Sequence, residues 1–301
     1  MRARIGAAVA AAATLAWIGV AAADGIEVVA KDVRFPEGPL WSDGALLFVE
    51  YGGHTILRLG ADGGLTTIWE RPGCGPAALV QAGADLLVTC YDENTLVLVS
   101  AAGETLRVYD NDDAGAPFIG PNDFAADRTG GVFMSASGPW EAAPIVGKIL
   151  YRAADGSLQT AADDLHYANG LALSPDGRML YCSEMYAYRI VAFDVGENGV
   201  LTNRREFARV NDIAGGGPPL APDGLKTDAA GNLYIALYEG GKVLVADPTG
   251  KLLATIDPPA PNISNVGFGA DTSVLYVTGV LDPSAASWPG EVYRIANPLQ
   301  P

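Results

Sequence analysis

Oxygen donors recur at one position of a repeated pattern in this chain of 301 residues. Counting ten residues back from Leu47, Leu86, Val132, Met179, Leu233 and Leu275 reaches Glu37, Pro76, Asn122, Asn169, Asp223 and Asn265. Five of those six carry a side-chain oxygen, two as carboxylates and three as amides. Acid and amide oxygens converging on one point suit a hard divalent cation, because calcium accepts both types, and water, in loose geometry. Zinc prefers His and Cys, and the chain holds only two His and three Cys. Any one Asn or Asp could be an ordinary turn residue; five in register are what a shared ligand site requires.

Residues this far apart meet only if the fold brings the repeats together. Short apolar strands start at Leu46, Leu86, Val132, Leu180, Leu233 and Leu275, at intervals of 40, 46, 48, 53 and 42 residues. A turn rich in Gly and Asp precedes each one, and another apolar stretch precedes each turn. Third and fourth strands follow, as in Lys242 to Val245 and Lys251 to Ile256. Four short strands per unit at this period describe propeller blades. The expected fold is therefore all-β, a six-bladed β-propeller with four-stranded blades and a central metal site. Ile26 to Val33 is expected to close the ring as the outer strand of the last blade, beside Glu291 to Ile295. Each candidate ligand stands where the chain enters an inner strand, so the set should converge on one face of the channel.

Composition narrows the function. A hydrophobic content of 49% with 18% charged residues excludes a disordered chain. Nineteen Lys and Arg against 35 Asp and Glu give a net charge of -16. That charge argues against a nucleic-acid partner or an anionic membrane surface. No phosphate-cradling motif supports a kinase or a dehydrogenase. At the N-terminus, Arg2 and Arg4 precede an uncharged run from Ile5 to Ala23 that ends in three alanines. This reads as a secretory signal peptide, with a retained anchor as the competing reading. The expected organisation is a signal peptide over 1–23 and one propeller domain over 24–301. The mature protein is expected to be exported, periplasmic or secreted, with no membrane segment after cleavage. On the propeller topology, Cys74 lies in the loop before the second blade, on the face where Cys90 ends its strand. The two could pair in an oxidising compartment, or all three cysteines could be small buried hydrophobes; Cys182 is expected to be buried and single.

Four segments resemble the regucalcin / gluconolactonase / luciferin-regenerating-enzyme (senescence-marker-protein-like) family. They are Phe35-Pro36-Glu37-Gly38-Pro39-Leu40-Trp41, Gly120-Pro121-Asn122-Asp123, Ala168-Asn169-Gly170-Leu171-Ala172-Leu173-Ser174-Pro175-Asp176-Gly177 and Pro222-Asp223-Gly224-Leu225. The resemblance runs from about Val33 to Ile295. It implies a six-bladed propeller with one catalytic divalent metal, bound by Glu37, Asn169 and Asp223, with Asn122 completing the metal or substrate site. It also implies hydrolysis of sugar-acid lactones, with phosphotriesterase-like and drug-lactone hydrolases among the relatives. One departure stands out. Many sugar-lactone members carry Arg two positions before the Asn of the second motif, and here that residue is Gly120. Glu141 is the nearest candidate for their loop acid.

The expected function is that of an exported, divalent-metal-dependent hydrolase of a lactone or ester. Calcium is the first candidate for the cation, with zinc, manganese or magnesium as alternatives. Asp223 is the expected base, and Asn122 shares the catalytic site. Asn265, Glu141 and His54 are candidate substrate contacts, with Asn265 alternatively supporting a metal ligand from behind and His54 also able to relay protons. Loops after the second strands, carrying Tyr51, Tyr91, Trp140, Tyr186, Tyr238 and Trp288, should form an aromatic rim. The expected partner is a small-molecule substrate, with no nucleic acid, and the chain is expected to act as a monomer. The alternative is a non-catalytic, metal-stabilised propeller that binds a small molecule or a protein, since propellers host both.

Overall fold

The computed structural model describes residues 25–300. The signal-peptide reading, over 1–23, lies outside the described residues. The described chain forms six sheets of four antiparallel strands each, the propeller expected from the repeats.

Each of the first five blades is a meander in chain order. In the first, Pro36–Ser42, Ala45–Glu50, Thr55–Leu59 and Leu65–Glu70 follow one another from channel to rim. Asp43 and Gly44 join the first two strands with φ of 48° and 72°, and Ser42 pairs with Ala45 across them. Two consecutive positive φ values make the tight hairpin that matches strand twist, which explains Asp-Gly at this turn. The last blade is completed by the N-terminal strand Ile26–Arg34. It pairs with Pro289–Ala296, setting Ile26 opposite Ile295, and the inner strand of that sheet is Asn262–Phe268. Ring closure thus uses both ends of the chain, as the sequence indicated.

The core lies between blades. Leu47, Val49 and Ile56 of the first blade pack with Leu79, Leu86 and Val88 of the second. Second strands are therefore buried on both faces, as in Leu233–Tyr238, where all six residues are buried. That burial explains why these strands read as continuous apolar runs and not as alternating ones. Each fully buried large side chain, such as Phe48 or Leu87, contributes roughly 1.5–3 kcal/mol over its exposed state. Outer strands face water: Thr202 to Glu206 of Leu201–Arg209 are all exposed.

Hydroxyl groups tie the blades together at one end of the channel. Thr89 donates to the Asn122 carbonyl at 2.6 Å, Ser137 to the Ala168 carbonyl at 2.6 Å, Ser183 to the Asp223 carbonyl at 2.8 Å and Ser264 to the Pro36 carbonyl at 2.9 Å. All four donors are buried. Each one crosses from one blade to the entry segment of the next. In the second blade, Cys74 and Cys90 form a disulfide, with Cα atoms 4.5 Å apart, while Cys182 is free and buried.

Candidate active site

A one-residue irregularity interrupts the pairing where every inner strand begins. The register shifts fall between Glu37 and Leu40, Pro76 and Ala78, Pro121 and Phe124, Ala168 and Leu171, Pro222 and Leu225, and Ile263 and Asn265. A bulge re-aims the side chains it carries. Here it turns entry residues toward the channel axis. The glycines that follow two of the ligand candidates are required by how closely the inner strands approach. A Cβ on Gly170 would collide with the Asp223 carbonyl, and one on Gly224 with the Asn265 amide. The Asn-Gly and Asp-Gly pairs are thus packing requirements of the ring as well as turn chemistry.

Glu37, Asn122, Asn169 and Asp223 line one cavity of about 250 Å³. Glu37 is pinned through Oε2, which accepts from the Gly38 amide at 3.1 Å and from Asn265 Nδ2 at 3.2 Å. Asn122 donates from Nδ2 to Ser137 Oγ at 3.1 Å, and Asn169 Nδ2 lies 3.7 Å from Met185 Sδ. Asn169 also hydrogen-bonds the Asp223 carboxylate, against the rise that burial causes there. Among the described residues, no Lys, Arg or His lines it.

Electrostatics mark this group as uncompensated. Burial pushes the Glu37 carboxyl up to about 8, and the charge of Asp123 adds to the rise against the Asn265 hydrogen bond. Burial also raises Asp223 well above the usual carboxylate range, helped by Glu37 and then Asp123. Deeper in the channel, Asp123 faces Lys226 at 4.0 Å and accepts from the Phe124 and Leu171 amides. That lysine is the nearby positive charge, and it lies against Asp123 and not in the cavity.

Two buried carboxylates beside two side-chain amides are a donor set that fits a hard divalent cation, which would supply the missing positive charge. Among the described residues, no group of three or more His, Cys, Asp or Glu is arranged to hold a metal. The donor set is half amide, which again points away from zinc.

Three expected substrate contacts do not line the cavity. Asn265 is buried behind Glu37 and spends Nδ2 on it, while its Oδ1 accepts from the Val266 amide at 2.9 Å. His54 sits in a turn with φ of 59°, and its Nδ1 faces the Gly75 amide at 3.2 Å. Glu141 is exposed, while its neighbour Trp140 turns inward.

The walls are aromatic. Tyr51, Tyr91, Trp140, Tyr238 and Trp288 line the cavity as the loop positions suggested, whereas Tyr186 packs behind them against Trp140 and Tyr167. Phe35 and Tyr167 join them and were missed by the loop argument. Both stand two residues before a ligand candidate, Glu37 or Asn169, which is the register of Gly120 before Asn122. That spacing was the available signal. Burial keeps the phenols of Tyr51, Tyr91 and Tyr167 above their ordinary range, so the walls are neutral.

Six sheets around a channel, with acid and amide side chains gathered in one cavity, define a β-propeller with a candidate ligand site. Residues 35–280 match the SMP-30/Gluconolactonase/LRE-like region, and the chain belongs to this family. Regucalcin of Xenopus laevis is 28% identical over 90% of this chain and 93% of its own length. Pentonolactonase XacC of Haloferax volcanii is 28% identical over 83% of each chain. A solved gluconolactonase from Xanthomonas campestris superposes with a TM-score of 0.76 at 25% identity, covering 91% of this chain and 89% of that one. A calcium-binding regucalcin from Agrobacterium tumefaciens reaches 0.72 at 21% identity, covering 90% and 92%, and shares the fold.

Proposed function

We propose that the chain hydrolyses a small lactone or ester with the help of one divalent cation, calcium first. The observation that carries this reading is the meeting of Glu37, Asn122, Asn169 and Asp223 in a single buried cavity. Lactonase relatives across most of the chain support it.

Glu37, Asn169, Asp223 and Asn122 are the residues that would hold the ion. When bound, a cation supplies polarisation of the substrate carbonyl and offsets the two carboxylate charges. The remaining work falls to the chain. Asp223 accepts the proton of the attacking water through a carboxylate oxygen. Glu37, fixed by Gly38 and Asn265, acts as an anchoring charge whose position does not drift. Asn122, fixed by Ser137, orients the carbonyl end of the substrate. The aromatic walls exclude bulk water and hold the ring in place. We also propose export, from the Arg2, Arg4 and Ile5 to Ala23 pattern; N-terminal sequencing of protein recovered outside the cytoplasm tests it.

The test of the activity is hydrolysis by chelated and then reloaded protein across sugar-acid lactones, apolar lactones and aryl esters. Turnover that disappears on chelation and returns with calcium, manganese, zinc or magnesium supports the reading. Cation binding without any turnover moves the assignment to a binding propeller.

A further inference from the structure

Six aromatic side chains form a closed circuit around the mouth of the cavity. Phe35 lies 5.5 Å from Tyr51 between ring centroids, Tyr51 6.3 Å from Tyr91, Tyr167 5.2 Å from Trp140, Trp140 5.9 Å from Tyr238, and Tyr238 6.1 Å from Phe35. The remaining link is a hydrogen bond, from the Tyr167 hydroxyl to the Tyr91 hydroxyl at 3.1 Å. These spacings are those of favourable aromatic pairs. The circuit draws on five different stretches of chain, so it is a product of the ring and not of local sequence.

Three of the circuit's five polar ends are spent on protein, and the Tyr238 hydroxyl and Trp140 Nε1 are not among them. The Tyr51 hydroxyl donates to Asp92 at 2.7 Å, and that of Tyr91 donates to the Gly138 carbonyl at 2.9 Å while accepting from Tyr167. The three phenolic protons are therefore committed to protein. Gly120 makes room for this arrangement. It has φ of 59°, and a Cβ there would stand 2.7 Å from the Tyr91 ring and collide with the Gly138 carbonyl. Trp140 is 52% exposed although it touches three tyrosines, so one face of its ring opens to solvent at the mouth.

We propose that this mouth selects an uncharged lactone or ester carrying an aromatic ring, and selects against a polyhydroxylated one. The proposal rests on the hydrolase reading above and deepens it. A flat aryl group finds ring faces and edges on all sides. Several hydroxyls placed there would lose water and meet rings in return, and buried polar groups without partners are disfavoured. A substrate carboxylate would find no cationic side chain among the described lining residues. A cavity of about 250 Å³ suits a compact ligand of one or two rings.

The test compares two six-membered lactones on metal-reloaded protein, one fused to an aryl ring and one of a sugar acid. The expected kcat/KM favours the aryl lactone by about tenfold or more, the scale of a gained apolar contact surface. Trp140→Ala lowers the aryl lactone's value by about tenfold, a larger loss than the sugar lactone shows, and Trp140→Phe restores most of it. A second readout is binding of the non-hydrolysable aryl lactam, followed by tryptophan quenching in chelated and reloaded protein. A preference for the sugar lactone overturns the proposal, as does an aryl preference indifferent to Trp140→Ala. Lactam binding that weakens in Trp140→Ala, with no turnover of any lactone or ester, upholds the aromatic selection while the hydrolase reading fails. Neither binding nor turnover overturns both.

Discussion

Asn265 reaches across 228 residues of sequence to donate from Nδ2 to Glu37 Oε2 at 3.2 Å. The last blade thereby holds the carboxylate of the first, at the seam where the ring closes. Of the two roles its register suggested, touching substrate or supporting a ligand, Asn265 has the contact of the second: it sets the direction of a candidate ligand. Groups that orient a metal ligand typically carry about 10–100-fold of affinity. Asn265→Leu should therefore bind calcium about 10–100-fold more weakly, with the fold intact by circular dichroism. Calcium titration followed by melting temperature checks this, and unchanged affinity would reduce Asn265 to a packing residue.

Asp223→Asn should lower kcat by about 10²–10⁴, the range of a lost general base. The same variant without metal should melt higher than the metal-free parent, because burial and the Glu37 charge both disfavour an ionised Asp223. Glu37→Gln should weaken cation binding more than it lowers turnover at saturating cation. Steady-state rates measured across a calcium series separate the two effects.

The chelated protein should lose stability as pH rises. Glu37 has an ordinary value of 4.5 and is pushed up to about 8 in the fold, so between those values the folded chain holds a proton that the unfolded chain has released. Rising pH then favours unfolding, and Asp223 acts in the same direction. Melting temperature without metal should fall from about pH 4.5 to 8. Saturating calcium should remove that fall, because the cation stabilises both carboxylates in their charged form. A melting temperature that climbs over this window in chelator would contradict the electrostatic assignment.

The Cys74–Cys90 disulfide closes a loop of 16 residues. Loops of that length contribute about 3 kcal/mol when cross-linked. Cys74→Ala/Cys90→Ala should lower stability to denaturant by about that amount. Protein unfolded without reductant should label at one thiol, Cys182, and reduced protein at all three cysteines. Labelling of all three before reduction would show that the bond does not form.

The propeller was legible because its repeat is chemical. Short turns rich in Gly and Asp, and second strands buried on both faces, leave a similar mark in each blade. Leu46, Leu86, Val132, Leu180, Leu233 and Leu275 betray the period without any contact being known. The site's oxygen donors were legible for the same reason, since one register of the repeat meets one point of a ring. Side chains beyond that register were not. His54 and Asn265 looked like site residues by position, yet their polar atoms face the Gly75 amide and Glu37, a choice made by neighbours from other blades. The hydroxyls of Thr89, Ser137, Ser183 and Ser264 gave no signal, because a buried Ser between blades and an exposed Ser in a turn are the same letter.

By itself, then, the sequence determined the six units, their strand order, the ring closure by Ile26 to Val33 and the acid-amide register, all of which depend on local pattern repeated along the chain. Only the tertiary structure decided which of those oxygens line the cavity, that Cys74 and Cys90 are bonded, and that Phe35, Tyr51, Tyr91, Trp140, Tyr167 and Tyr238 close on one another. Those outcomes depend on distances between blades. Such distances follow from how the buried faces pack and where the bulges fall, and no single segment carries them.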